Sequence, residues 1–521
     1  MPSPNAQPVD PATGASSPGP VPDARASIAR NAMHLVTGQV VTMVLGILFT
    51  AALGRTLGAG PDFGLYFIIS SFSAFALVVV DWGQQWFGIR EVARSPQRGG
   101  DLLGTGLVLR AVGTLLVCIP TGLSAWALGY DRRSIWFAVG FVALNLPFFL
   151  AQNFGVVFRG RDKMALDATV SVTNRAVLLL LAVGALGIGL GLGGVVVAQG
   201  LAGVVALAMA FRLYREVGTG PLRFSRATAR EILTGGTAIV TMTLTANVQP
   251  YIDAVLLSKL VPKDAVAWYG AAKSIMGTLL APSLILGQAA FPRLSRAASD
   301  RTLFRKEMTV AQRPMVWMAG LAGVGTWLFA DVAIHVVFSG HRGFGPAGII
   351  LSVFGLGLFL TFIDVLLGTA LTALGRSTAF AVVKIAAVAL GTALELFLIP
   401  HFQASTGNGG LGVVVSLVFC EALIFTGLLL LMPRHTVGGG ILLDTGRALV
   451  AALATALALR FLPPLSPWLG IPLCVVLYGL ATAAVGLLRM EDLRQVARMV
   501  DRRSGRSSET STVEQRPAPL P

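Results

Sequence analysis

The sequence predicts an all-α polytopic membrane protein of about 14 transmembrane helices, two six-helix lobes plus two appended helices, with both termini in the cytoplasm. Three observations predict it. Of the residues, 54% are hydrophobic and only 12% charged, and a mean hydropathy of +0.74 lies far outside the range of soluble chains. Apolar runs of the roughly 20 residues needed to cross a bilayer recur along the whole chain. Between these runs the basic residues alternate: 28 of the 40 Lys and Arg fall in the two ends and the even-numbered loops, 6 in the odd-numbered loops and 6 inside spans. Such a bias in one phase sets orientation.

In chain order, residues 1–30 are rich in Pro, Ala and Ser without an apolar core and are expected to be a disordered cytoplasmic lead, not a cleaved signal. The apolar runs fall near 33–54, 64–88, 102–128, 134–158, 167–188 and 192–211, which make a first lobe over 31–215. A basic linker, 216–230, follows. Runs near 232–258, 265–290, 315–338, 347–371, 378–399 and 411–432 make a second lobe over 231–432, and 441–462 and 467–488 supply the two further helices of segment 433–488. In the tail, 489–521, Leu493, Val496, Ala497 and Val500 alternate at helical spacing with Arg494, Arg498 and Arg502, as in a short interfacial helix, and disorder is expected from Ser504 onward. The 60 Gly suit close helix packing where water gives no drive for association.

An internal repeat supports the two lobes. The first pair of spans joins through Leu53-Gly54-Arg55 to Phe63-Gly64-Leu65-Tyr66, and the seventh and eighth through Leu257-Ser258-Lys259 to Trp268-Tyr269-Gly270. In each, a basic residue ends a span, a short turn follows, and aromatics with Gly open the next.

Several chemistries are argued against. Cys118, Cys420 and Cys474 all fall in apolar runs without metal-ligand spacing, so they read as packing residues and no metal or cofactor is expected. His34, His335, His341, His401 and His435 are scattered. The chain holds no phosphate loop, nucleophile elbow, HExxH or outer loop longer than about ten residues, which argues against an enzyme or direct ATP hydrolysis. The net charge of +15 is accounted for by loops that meet anionic membrane lipids, so no nucleic-acid partner is expected.

The motif Gly54-Arg55-Thr56-Leu57-Gly58 with Phe63-Gly64-Leu65-Tyr66, then Asp81-Trp82-Gly83 ahead of Arg90-Glu91-Val92-Ala93-Arg94, resembles the amino-terminal signature of the polysaccharide biosynthesis flippases. Asp253, Trp268-Tyr269-Gly270-Ala271-Ala272-Lys273 and Phe291-Pro292-Arg293-Leu294-Ser295 are similar to the matching helices of the second half, so the resemblance covers about 30–490. The family lies in the multidrug, oligosaccharidyl-lipid and polysaccharide exporter superfamily. The resemblance implies two lobes around a central cavity, alternating access, and transfer of a polyprenyl-diphosphate-linked oligosaccharide from the inner to the outer leaflet of the cytoplasmic membrane. It also implies a place beside the polysaccharide polymerase and glycosyltransferases of the same pathway. A lipid II flippase and a cation-coupled drug or metabolite exporter of the same superfamily stay open as alternatives.

Charges inside the spans nominate the site, because such residues are costly and face the bundle interior. Asp81, Arg110 and Arg175 each lie about eight residues, roughly 12 Å, from one end of their spans. Two Arg against one Asp leave a positive charge for a diphosphate, so Arg110 and Arg175 are candidate headgroup ligands. Asn145, Gln152, Asn153 and Asn174 are candidate partners of sugar hydroxyls. Asp253 with Lys273, and Asp364 with Lys384, are expected to close as structural or gating ion pairs. Glu395 and Glu421 are candidate proton or cation sites, and Pro250 is a candidate hinge.

Overall fold

The computed structural model describes residues 24–217, 220–338, 343–433, 440–462 and 466–488, and the tail beyond 488 lies outside them. The described residues are almost entirely helical. The first lobe comprises α1 (Ala24–Leu57), α2 (Pro61–Asp81), α3 (Gln84–Arg94), α4 (Gly99–Ala127), α5 (Arg132–Leu144), α6 (Leu146–Asn153), α7 (Gly155–Gly160), α8 (Met164–Gly187) and α9 (Gly191–Val217). The second comprises α10 (Arg226–Asn247), α11 (Gln249–Leu260), α12 (Lys263–Ala297), α13 (Arg301–Phe338), α14 (Gly345–Ala373), α15 (Ser377–Thr406) and α16 (Gly410–Leu431). Two further helices follow, α17 (Gly440–Phe461) and α18 (Pro467–Ala484).

Thirteen helical segments among the described residues are long and apolar enough to span a membrane, and they coincide with thirteen of the predicted runs. The run that does not qualify is 232–258, which is divided between α10 and α11 at Val248. Pro250 explains the division: it has no N–H to give to the preceding turn, and its ring crowds that turn's carbonyl. Other runs hold breaks as well. The second run breaks at Trp82-Gly83, both left-handed, and the fourth breaks at Asn145, before Pro147, and again at Phe154. Pro282, by contrast, sits inside an unbroken α12. At the N-terminus the expected disordered lead of 1–30 ends sooner, because α1 already begins at Ala24.

Within the first lobe α1 packs on α8, α8 on α9, and α2 on α4 and α5; in the second, α14 is the hub, touching α12, α13 and α16. Phe354, Phe362, Leu358, Ile363, Leu366 and Leu367 of α14 are all but fully enclosed. Glycine sets the closest crossing there, since a Cβ on Gly355 would stand 2.8 Å from the Gly323 carbonyl oxygen and 3.2 Å from the Trp327 amide. The appended pair is tied to α13: Gln312 donates to Asp444 on α17 at 2.7 Å, and Tyr478 on α18 donates to the Trp317 carbonyl at 3.1 Å.

The two copies of the repeat meet one another across the lobe interface, where α2 crosses α12. A Cβ on Gly64 would come within 2.6 Å of the Lys263 carbonyl oxygen, and one on Gly270 within 2.8 Å of the Phe67 ring. Phe67 and Tyr269 pack edge to face at 5.7 Å. Each copy therefore leaves out a side chain where the other copy lies.

Both neighbours of Gly355 are main chain and cannot turn aside, so Gly355→Ala overpacks the α13–α14 crossing by about 1–3 kcal/mol. The expected result is a lower midpoint of thermal unfolding in detergent, with α17 and α18 contacts unaffected; an unchanged midpoint would refute the assigned crossing.

Candidate functional site

A cavity of about 330 Å³ lies between the lobes, walled by α1 and α2 on one side and α11 and α12 on the other. Phe75 and Tyr251 stack in its wall at 4.8 Å, Tyr66 and Phe63 add further aromatic surface, and Lys273 contributes a cation. Ser70, Ser71, Ser274 and Thr50 line it too. Each of these hydroxyls donates to its own helix, to Phe67, Phe67, Ala271 and Gly46 carbonyls respectively, so their remaining lone pairs are acceptors.

Lys273 is held, not free. Its Nζ donates to Asp253 Oδ2 at 2.9 Å and to the Tyr269 hydroxyl at 2.8 Å, and Tyr269 in turn donates to Asp253 Oδ2 at 3.0 Å. The expected Asp253–Lys273 pair is thus closed. Glu395, 1% exposed on α15, brings a second carboxyl against Asp253, and its Oε2 has no hydrogen-bond partner. The other expected pair differs. Asp364 and Lys384 form no ion pair; the Asp364 carboxyl faces that of Glu421 on α16, while Lys384 Nζ lies 5.9 Å from the Phe380 ring centre. Lys384 and Asp364 share a depth, but the i−4 ring of Phe380 offers the ammonium a nearer surface.

In the first lobe the structure separates the two arginines. Arg110 is 1% exposed, bound through Nη2 to Asp81 and through Nη1 to the Phe149 carbonyl at 2.8 Å. It is a structural tie inside the lobe and does not line the cavity, a correction to its expected role as a headgroup ligand, while Asp81 closes in an ion pair within the lobe. Their shared depth pairs them on adjacent helices before a ligand is needed. Arg175 is the opposite case: it is half-buried and makes no hydrogen bond or ion pair among the described residues. Its guanidinium lies beside the bare Cα of Gly46, 3.8 Å from where a Cβ would be, and within electrostatic reach of Tyr66. Thr50, one turn from Gly46, and Tyr66 both line the cavity.

The amides also divide. Asn145 donates to Ser73 at 3.1 Å and to the Phe141 carbonyl at 2.9 Å, and accepts from Gln199 at 3.0 Å, so it joins helices within the lobe. Asn153 is buried against Gly106 with both polar atoms unpartnered, and Asn174 Oδ1 is likewise unpartnered. Gln152 is half-buried without a side-chain bond. Pro250 opens α11 and lines the cavity.

At the end opposite the arginine-rich loops, Arg55 donates to the Val337 and Val336 carbonyls at 2.9 and 2.7 Å, and Arg133 pairs with Asp62 at 2.9 Å. Asp131 caps α5 and faces Lys263 at 3.8 Å; the Ser134 hydroxyl bond holds its carboxyl below the usual value. Sequence reasoning missed Tyr251, Tyr66 and the serines as cavity wall, because hydroxyls and rings at helical spacing look the same on any buried face.

Residues 28–298 match the model of a family described as polysaccharide biosynthesis protein. Among solved structures, the lipid II flippase MurJ in an inward closed conformation is similar at a TM-score of 0.70 and 12% identity, covering 86% of this chain and 98% of that one. The eukaryotic MATE transporter AtDTX14 is similar at 0.59 and 14%, covering 81% and 98%, and the Vibrio cholerae MATE transporter VcmN in the bent form at 0.52 and 15%, covering 78% and 96%. At these identities the likeness is one of fold. No curated protein matches the chain.

Removing Arg110 strands a carboxylate and a carbonyl inside the lobe, a loss of about 3–5 kcal/mol. Arg110→Met is expected to give little monodisperse protein in fluorescence-detected size exclusion, and Arg110→Met with Asp81→Leu to recover it. Wild-type yield of the single variant would show that the pair is dispensable.

Proposed function

The chain belongs to the polysaccharide biosynthesis protein family, and from that premise we propose that it moves a polyprenyl-diphosphate-linked oligosaccharide between the leaflets of the cytoplasmic membrane by alternating access. Family and fold are those of multi-pass membrane flippases and exporters, not of enzymes. The finer reading rests chiefly on Arg175, a cation without a counter-ion in the middle of a membrane helix. Such a group is expensive in hydrocarbon, about 2.5–3.5 kcal/mol at a helix centre on insertion scales. A diphosphate offsets that cost with short bidentate bonds.

Arg175 lies behind the cavity wall, beside Gly46 and near Tyr66, and the cavity itself suits the remainder of the substrate. Aromatic faces at Phe75 and Tyr251 match the apolar C–H faces of sugars, and the hydroxyl lone pairs accept from sugar hydroxyls. The prenyl chain stays in lipid, so the cavity need hold only the polar head. Asp253, Lys273 and Glu395 supply the coupling: two carboxyl groups in contact beside one ammonium leave a charge that a proton or monovalent cation balances. Pro250, at the break between α10 and α11 and on the cavity wall, serves as hinge between the access states. The fold likeness to the lipid II flippase MurJ makes peptidoglycan precursor the second reading.

Mass spectrometry of lipids from depleted cells tests this directly. Accumulation of a diphosphate-linked oligosaccharide, reversed by the wild-type gene, is expected; accumulated lipid II would support the second reading, and an unchanged lipid pool would overturn both. Arg175→Glu should insert normally yet fail to complement, and Arg175→Gln should slow transfer about ten- to a hundredfold, the loss of one or two charge-assisted bonds worth about 1.5–3 kcal/mol. Glu395→Gln is expected to make transfer in proteoliposomes insensitive to an imposed pH or cation gradient.

A further inference from the structure

α10 belongs to the second lobe in sequence but lies on the first, packing against α2, α3 and α4. Main chain makes the centre of the contact, and Ile232 and Ile239 of α10 pack round it with Phe87 and Leu102. Trp82 and Gly83, at the elbow between α2 and α3, are consecutive left-handed residues with φ of 44° and 73°. A tryptophan in that region is uncommon and persists only where its surroundings dictate it. Here the elbow turns its carbonyl onto Gly236, where a Cβ would overlap the Trp82 oxygen. A Cβ on Gly83 would lie 2.7 Å from the Gly236 oxygen and 3.1 Å from the Gly236 Cα. Gly235 in turn leaves room for the Phe87 ring, which a Cβ there would overlap.

Polar contacts surround this crossing. The Trp82 indole donates to the Leu233 carbonyl at 3.2 Å, Arg98 pairs with Glu231 at 2.6 Å, and the Ser225 amide donates to Thr105 at 3.1 Å. The elbow is anchored to its own lobe, since Asp81 beside it holds Arg110. α10 packs on α15 of its own lobe, and it ends at the break at Val248, whose next turn, with Pro250 and Tyr251, forms the cavity wall. Phe75 of α2, also in that wall, is seven residues or about 10.5 Å from the elbow.

We propose that Trp82-Gly83 against Gly235-Gly236 is a releasable clasp that shuts the interlobe cavity at its arginine-rich end, and that α10 swings off the elbow about the Val248–Pro250 break to admit the substrate headgroup. The proposal rests on the cavity being the transport pathway. Main chain meets main chain at the centre of the contact, so it closes tightly, and the side chains packed round it, Phe87, Ile232 and Ile239, are apolar and part without stranding a buried charge. The Arg98–Glu231 pair, half-exposed at the rim, sets the register in which the glycines meet.

The test uses the full chain in proteoliposomes with Cys118, Cys420 and Cys474 replaced by Ala. Ser274→Cys on the cavity wall is labelled by a membrane-impermeant maleimide, with Arg98→Cys and Glu231→Cys present as a reversible cross-link across the clasp. Labelling from the face that carries position 98 is expected when the pair is reduced, to fall at least tenfold when it is oxidised, and to return with reductant. In the background without the pair, Gly236→Val should wedge the clasp and raise the labelling rate severalfold. Equal labelling in the oxidised and reduced states, or a position 274 that stays unreactive with the pair reduced, overturns the clasp. If Gly236→Val does not fold, the cross-link alone decides. Because no substrate enters the assay, the result is independent of whether the transported lipid is the one proposed above.

Discussion

The structure depends on the crossing of α2 over α12. Three features lie along α2: the glycine-seated contact at Gly64 and Gly270 near one end, the cavity wall at Tyr66 to Phe75, and the Trp82-Gly83 elbow at the other end. Because hydrocarbon gives helices no hydrophobic reason to associate, two lobes meet only where backbones approach and shapes fit. Gly64 and Gly270 provide that approach, and the edge-to-face Phe67–Tyr269 pair adds about 0.5–1.5 kcal/mol beyond its buried area. A larger residue at either glycine would hold α2 and α12 apart and widen the cavity below.

Charge accounting in hydrocarbon separates scaffold from site. A buried ion pair that is also hydrogen-bonded is stable but inert, and Arg110, tied to Asp81 and to the Phe149 carbonyl, is of that kind. Lys273 is intermediate: it lines the cavity, yet Asp253 and Tyr269 occupy it, and any anion that reached it would compete with Asp253. Arg175 stands outside both patterns. Its guanidinium lies against Gly46 and near Tyr66, and no carboxylate among the described residues pairs with it.

The all-helical class and thirteen of the fourteen expected spans were legible in the sequence because each rests on a run long enough to average over local exceptions. The Asp253–Lys273 pair was legible too, from two charges at one depth on adjacent spans. Depth alone failed for Asp364 and Lys384, since facing depends on helix rotation, and rotation places Asp364 against Glu421. It failed in the same way to separate Arg110 from Arg175, which share a depth but not a neighbour. The elbow at Trp82-Gly83 was visible as a motif but not as a break, because Asp-Trp-Gly carries no proline and its left-handed turn is dictated by α10, about 150 residues later in the chain.

The two ends of the interface share a glycine-seated backbone contact and differ in what surrounds it. Away from the arginine-rich loops, side chains reinforce the Gly64–Gly270 crossing: Arg55 on the α13 carbonyls, Lys263 facing Asp131, and Lys259 3.6 Å over the Tyr130 ring. Such contacts are long, half-exposed and individually worth little, so they separate singly, each without the others. At the other end the Trp82-Gly83 joint is backbone on backbone at its centre, with Phe87, Ile232 and Ile239 packed round it, and a Cβ-sized gap already loses the central contact. α2 carries both contacts on one helix. For the alternating access proposed above, the rigidity of that helix would let a tilt that opens one contact press the other closed.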